Sequence, residues 1–327
     1  MAVSAEETLL LSENESELTG RGVGEDYAVR ELVGRGRGLV ALRGIPSGKH
    51  LASYASYSYM IPYHTYPQEN EGFSQCCSTC LCWSSDALPV RCEGCPAAYC
   101  SPACHAVSYQ RGHQLCCAAL KQLDEMGSSS KWGRKERSCA CFLLRAFAQR
   151  ASEKGLTGDP SFEDATSQCL SQVSVRNQQN GSASLTEKLH QRAIRLARLH
   201  AEELISGPDA LRLLRAKECN SFFLFDEEER PRGSVMYPQA AMINHSCVPN
   251  CAMIACGDRL DLETITHVAC GEELTYCYVR SFEAGRKETI EPWGFECGCE
   301  RCNGTACPDV LAAFDAKHRW VHTCRYA

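Results

Sequence analysis

The chain has 327 residues and no run approaching 18 apolar ones, so no segment is predicted to cross a membrane as a helix. Its first 26 residues lack the basic start and apolar stretch of a secretory leader. The compartment expected is therefore reducing, cytoplasmic or nuclear, where disulfides are rare. Basic charge is also short: 34 Lys and Arg face 40 Asp and Glu, a formal net of −6. Seven acids and one base lie within residues 1–26, and their net equals that of the whole chain. The rest is formally neutral, which argues against nucleic acid as the main ligand. No long internal repeat is found, so stacked-repeat architectures are excluded.

Cysteine is what the chain has in excess, 24 residues alongside 10 His. In a reducing compartment such numbers point to zinc or to buried thiols, and spacing decides. Four pairs stand in sequence: Cys77-x2-Cys80, Cys92-x2-Cys95, Cys100-x3-Cys104 and His113-x3-Cys117. Each pair can supply half of a tetrahedral site from one turn, so eight ligands predict two zinc ions. The second half of the segment reads as helical. Ser101 can cap it, Pro102 suits its first position, and His113 and Cys117 share one face at i and i+4. A further cluster, Cys297-x-Cys299-x2-Cys302, is one ligand short of a closed structural site. Cys247 is the candidate fourth ligand, with Cys251, Cys307 and Cys324 as alternatives. Three zinc ions are expected, and eleven thiolates around them would make the formally neutral body negative.

The remaining pattern is mixed α and β. Tyr27–Val33 reads as a strand, Gly34–Gly38 as a break, and Leu39–Arg43 as a second strand before a turn at Ile45–Gly48. Residues 138–152 and a segment opening at Ser184-Leu185-Thr186-Glu187, a capping box, read as helices. Ser206-Gly207-Pro208 ends the latter and opens another. Residues 155–183 are polar and irregular. Leu260, Leu262 and Thr264 alternate as in a strand, as do Leu274, Tyr276 and Tyr278.

Three separated segments carry a family resemblance: Arg35-Gly36-Arg37-Gly38-Leu39, Asn244-His245-Ser246-Cys247-Val248-Pro249-Asn250-Cys251, and Gly271-Glu272-Glu273-Leu274-Thr275-Tyr276-Cys277-Tyr278. With the cysteine cluster between the first and second, and the Cys-rich end, the chain resembles the SET and MYND domain-containing lysine methyltransferases. The resemblance implies an α+β fold: a split β-rich SET domain with a pseudoknot, an inserted MYND zinc finger, a helical insert and a post-SET zinc tail. The expected order is an acidic disordered tail (1–26), the first SET part (27–76), the finger (77–117) and the helical insert (118–219). The second SET part (220–285), the post-SET motif (286–303) and a short tail (304–327) follow.

By the same resemblance, Cys77, Cys80, Cys100 and Cys104 would hold one ion and Cys92, Cys95, His113 and Cys117 the other. Arg35, Arg37, Asn244, His245 and Phe295 would contact S-adenosylmethionine, and Phe222 and Trp293 would wall a lysine channel. Tyr278 matches the tyrosine whose hydroxyl lies near the transferring methyl and the lysine nitrogen. A phenol can orient the amine without ionising near pH 7. Tyr276 reads as a core aromatic. The resemblance implies methyl transfer to a lysine side chain of a protein substrate, with an inactive scaffold acting through its finger as the alternative. A proline-rich peptide partner at the finger, no membrane partner and a monomeric state complete the expectation.

Overall fold

The computed structural model describes residues 25–61, 75–84, 86–126, 131–153, 183–225, 231–278 and 295–318. Trp293, the acidic segment 1–24 and nearly all of the polar stretch 155–183 lie outside them. Asp26, placed in the expected tail, is instead anchored to Arg43 at 2.6 Å and Lys49 at 2.7 Å.

Strand β1 (Tyr27–Leu32) pairs antiparallel with β2 (Gly36–Ala41). The second strand thus starts at Gly36 rather than Leu39, and the glycine-rich break lies partly inside the ladder. The cause is packing at Gly38, where a Cβ would meet Leu32 Cδ1 at 2.5 Å and Glu273 Oε1 at 2.6 Å. A bare backbone lets the strand close on its neighbours. Strand β12 (Glu273–Tyr276) pairs antiparallel with β2 and parallel with β9 (Asn244–His245), giving the order β1-β2-β12-β9. Residues 31 positions apart in sequence therefore lie side by side in one sheet: Asn244 faces Thr275, and His245 faces Tyr276.

A second sheet runs β10-β11-β3, from Cys251–Cys256, Arg259–Thr264 and His50–Ala55. Within β11, Leu260, Leu262 and Thr264 are the buried positions, the alternation expected of a one-sided strand. A third runs β4-β8-β7, from Ser58–Met60, Pro231–Met236 and Ser221–Phe225. The ribbon β5 (Val90–Arg91) and β6 (Ala98–Tyr99) belongs to the cysteine-rich insert.

That insert continues into two helices, not one: α1 (Pro102–Gln110) and α2 (His113–Glu125). The Ser101 side chain accepts the Cys104 N–H at 3.2 Å and caps α1. The break falls at Arg111–Gly112, and α2 runs through 117/118 without interruption, joining finger to helical insert. Helices α3 (Arg134–Glu153), α4 (Ala183–Ala201) and α5 (Gly207–Asn220) form that insert. Helix α4 starts at Ala183, one residue before the expected cap at Ser184, within the usual fraying of helix ends. Helix α3 is the hub, burying Phe142, Leu143, Leu144 and Phe147. Its carbonyls also take side-chain donors from the β4 region: Tyr57 to Ala146 and Ser58 to Phe142, both at 3.2 Å.

The expected short tail holds a helix, α6 (Pro308–His318), with Pro308 opening it and Asp309 in its first turn. Arg301 pairs with Asp315 and fixes α6 beside the last cysteine cluster.

The finger is docked on the core by the β10–β11 turn. Gly257 has φ +60, and a Cβ there would lie 2.5 Å from the Cys80 carbonyl oxygen. Next to it, Asp258 pairs with Arg111 of the finger at 3.3 Å. Leu81, between Cys80 and Cys82, is buried in a left-handed conformation at φ 60.

Candidate active site and metal centres

The structure brings the ligand residues together in three groups: Cys77, Cys80, Cys100, Cys104; Cys92, Cys95, His113, Cys117; and Cys247, Cys297, Cys299, Cys302. Within each group the donor atoms lie within 4.8 Å of one another. A tetrahedron with Zn–S near 2.3 Å has S···S edges of about 3.8 Å. Observed edges match it: Cys80–Cys100 at 3.6 Å, Cys100–Cys104 at 3.5 Å, Cys92–Cys117 at 3.5 Å, Cys247–Cys302 at 3.6 Å and Cys247–Cys297 at 3.9 Å. The shorter Zn–N bond draws an N···S edge in to about 3.5 Å. His113 Nε2 stands 3.3 Å from Cys92 Sγ and 3.6 Å from Cys95 Sγ. Burial, with the Arg145 charge, pushes His113 down to about 4, so near neutrality its ring keeps a lone pair for a metal. Cys247 is pushed up by its contacts with Cys297 and Cys299 and by burial. Four thiolates so close need a cation among them.

Beside the third cluster, β9 and the end of β12 hold a set of mutually bonded side chains. Asn244 donates to Glu273 Oε1 at 2.8 Å and to the Arg37 carbonyl at 3.0 Å. Glu273 pairs with Arg35 at 2.9 Å, and Arg35 also donates to the His245 carbonyl at 2.9 Å. Asn250 fastens the other side: it donates to the Glu273 carbonyl and Glu272 Oε1 and accepts the Thr275 N–H at 2.9 Å. Tyr278 lies past β12. Its hydroxyl donates to the Ile243 carbonyl at 2.7 Å, and its N–H donates to His245 Nδ1 at 3.0 Å. Burial raises its phenol above the ordinary value, so it stays protonated at neutral pH.

Aromatic rings surround this tyrosine. Tyr276 lies 4.7 Å away between centroids, and Phe222 stacks on Tyr276 at 5.9 Å. Tyr237 meets Phe222 edge-on at 5.5 Å. Phe295 sits 6.1 Å from His245 and 6.3 Å from Tyr278. Of the sequence-selected set, Arg35, Asn244, His245, Tyr278 and Phe295 thus converge directly, Arg37 joins through its backbone, and Phe222 joins through Tyr276. Tyr276 is only partly buried and belongs to the ring cluster as well as to the core edge. Glu273 and Asn250 lie within the motifs quoted from the sequence but were given no role there.

A β-rich domain with three sulfur-rich clusters emerges, with two distant segments meeting side by side around a part-buried phenol. A family model described as SET domain matches residues 36–279, about three quarters of the chain. The chain belongs to the SET domain family. Mouse histone-lysine N-methyltransferase SMYD3 is 39% identical over 87 residues, 26% of this chain and 20% of that protein. N-lysine methyltransferase SMYD2-B of Xenopus laevis is 24% identical over 280 residues, 83% of this chain and 59% of its own length. The chain therefore spans less than two thirds of these curated relatives. The solved SET domain of LSMT bound to lysine and AdoHcy aligns with 77% of this chain and 49% of its own, at 13% identity and a TM-score of 0.31, too remote to bear on the site. Among the described residues, no helix is long and apolar enough to cross a membrane.

Proposed function

We propose that the chain transfers a methyl group from S-adenosylmethionine to the side-chain amine of a lysine in a protein substrate. The observation that carries this reading is the setting of Tyr278: a protonated phenol whose hydrogen is committed to the Ile243 carbonyl at 2.7 Å. Its oxygen lone pairs then remain to accept an N–H from an incoming amine and hold that amine in line. Bound S-adenosylmethionine supplies an electrophilic methyl on a sulfonium. The residues present fit such a guest. The turn at Gly34 and Gly36 has open space beside both residues, so backbone can meet a ligand there. Asn244 and Arg35 are held beside that turn by Glu273.

The rings of Phe222, Tyr276 and Tyr278 suit the aliphatic stem of lysine, and their faces attract its ammonium. Desolvation among them lowers the lysine pKa toward the neutral, nucleophilic form. Trp293 is proposed as a further channel wall. The three sulfur-rich groups are proposed as zinc sites, with the third holding the post-SET segment, including Phe295, against His245. The finger is proposed to bind a proline-rich peptide, with half-exposed Tyr109 stacked edge-on to His105 at 5.4 Å on its surface.

The test is transfer of label from S-adenosylmethionine to proteins of a cell extract, comparing wild type with Tyr278→Phe. Tyr278→Phe should lose at least about 10²-fold in rate, the usual scale for a positioned proton-bonding group. Equal labelling would refute the role of Tyr278. A zinc-loaded protein that shows no S-adenosylmethionine binding by calorimetry would favour the inactive scaffold.

A further inference from the structure

We infer that His245 is a positioning residue that couples the third sulfur cluster to Tyr278 through its two ring nitrogens. The inference uses the proposed role of Tyr278 for its consequence, but its geometry stands independently. The ring is buried at 2% exposure. Its Nδ1 faces the backbone N–H of Tyr278 at 3.0 Å. A backbone N–H can only donate, so Nδ1 accepts and carries no proton. The hydrogen of the neutral ring then sits on Nε2, which lies 3.2 Å from Cys247 Sγ. The Nε2–H donates to that sulfur.

Three consequences follow from this tautomer. First, Nε2 has no lone pair for a metal although it stands next to the cluster, so the donor set is Cys247, Cys297, Cys299 and Cys302 alone. Second, four thiolates around a divalent ion leave a net negative charge, and an N–H aimed at one sulfur offsets part of it. Third, Tyr278 is held at both ends: its N–H by the His245 ring and its hydroxyl by Ile243. The His245 carbonyl is itself held by Arg35 at 2.9 Å, so the ring pivots on a fixed backbone. Loss of the cluster releases the Nε2 end of the ring, and the Nδ1 end, which seats Tyr278, loses its orientation with it.

Two substitutions separate the halves. His245→Asn places an amide oxygen near the Nδ1 position and keeps the acceptor for Tyr278, but removes the donor to Cys247. His245→Gln can reach the Nε2 position with an amide N–H and keeps the donor, but removes the acceptor. In zinc-loaded full chain, competition with a chromogenic chelator should show one of three sites weakened about 10-fold or more in His245→Asn, and within about 2-fold of wild type in His245→Gln. In the transfer assay, His245→Gln should lose kcat at unchanged zinc content. A ¹⁵N measurement on histidine-labelled wild type should show the Nε2–H tautomer for the signal that both variants lack. Equal loss of zinc in both variants, or an Nδ1–H tautomer, overturns the inference. Wild type inactive in transfer, yet with this tautomer and this zinc pattern, would overturn the proposed activity and leave the coupling standing.

Discussion

Asn250→Ala should be among the most damaging single substitutions outside the cysteines. Asn250 is 7% exposed, and its amide spans β10 and β12. It accepts the Thr275 N–H at 2.9 Å and donates to the Glu273 carbonyl at 2.8 Å and to Glu272 Oε1 at 3.0 Å. Alanine removes these three bonds, together with the longer one from the Thr275 hydroxyl at 3.5 Å, and leaves a small cavity. Glu272 is exposed and regains water, so it costs little. Thr275 is 7% exposed, so its N–H bond to Asn250 has little access to a replacement from water. At about 1–3 kcal/mol for a stranded buried group, with the carbonyl of part-exposed Glu273 at the low end near 1, the two together cost about 2–4 kcal/mol. For a chain of this size each kcal/mol moves the melting point by roughly 2–4 °C. Zinc-loaded Asn250→Ala should therefore melt about 4–16 °C lower in scanning fluorimetry. Ser47→Ala, which removes one part-buried bond to the Ile265 carbonyl, is the control and should move it by less than about 4 °C. A shift for Asn250→Ala no larger than the control would refute the assignment of this amide as the clamp on β12.

Cys247→Ser and Cys92→Ser should each reduce bound zinc from three ions per chain to two, measured by elemental analysis; a count still at three would remove that cysteine from its ligand group. Gly257→Ala should open the contact between the β10–β11 turn and the finger. It combines a left-handed φ, worth about 1–2 kcal/mol, with a 2.5 Å clash against the Cys80 carbonyl, and faster chelator attack on the first sulfur cluster is the readout. Asp26 is held below the usual carboxylate range by hydrogen bonds from Lys49 and Arg43. A lowered folded pKa means stability that is full above the unfolded value near 4 and fades as pH falls through the folded one. The melting-point gap between wild type and Asp26→Asn should thus be present at pH 6 and close toward pH 3; a gap that persists in acid would refute the charge account.

What could be read from the sequence and what could not divide along a physical line. Metal ligands must reach one point from short turns, so their spacing is local, and all twelve ligand residues selected by spacing and resemblance meet in three groups. The segment ends around Asn244 and Tyr278 were legible for a related reason, since a motif preserves the types of side chain a site needs. Boundaries were less legible: β2 begins at Gly36 because Gly38 must admit Leu32 and Glu273, which no local pattern around Gly38 reveals. Helix α6 did carry a local signal, Pro308 followed by Asp309 and an apolar run, but the fall-off in ligand density after Cys302 drew it into a tail.

The roles of Glu273 and Asn250, though both stand in the quoted motifs, were hidden because their partners are backbone carbonyls, N–H groups and charges that lie 20 to more than 200 residues away. His245 shows the limit most clearly. Its place in a motif was legible, but which nitrogen carries the proton depends on a backbone donor 33 residues downstream, at Tyr278. That one hydrogen decides whether the ring is a metal ligand or a donor to a metal ligand. The chemistry of the site is therefore written in residue types, and its assignment of roles is written in the pairing of β9 with β12.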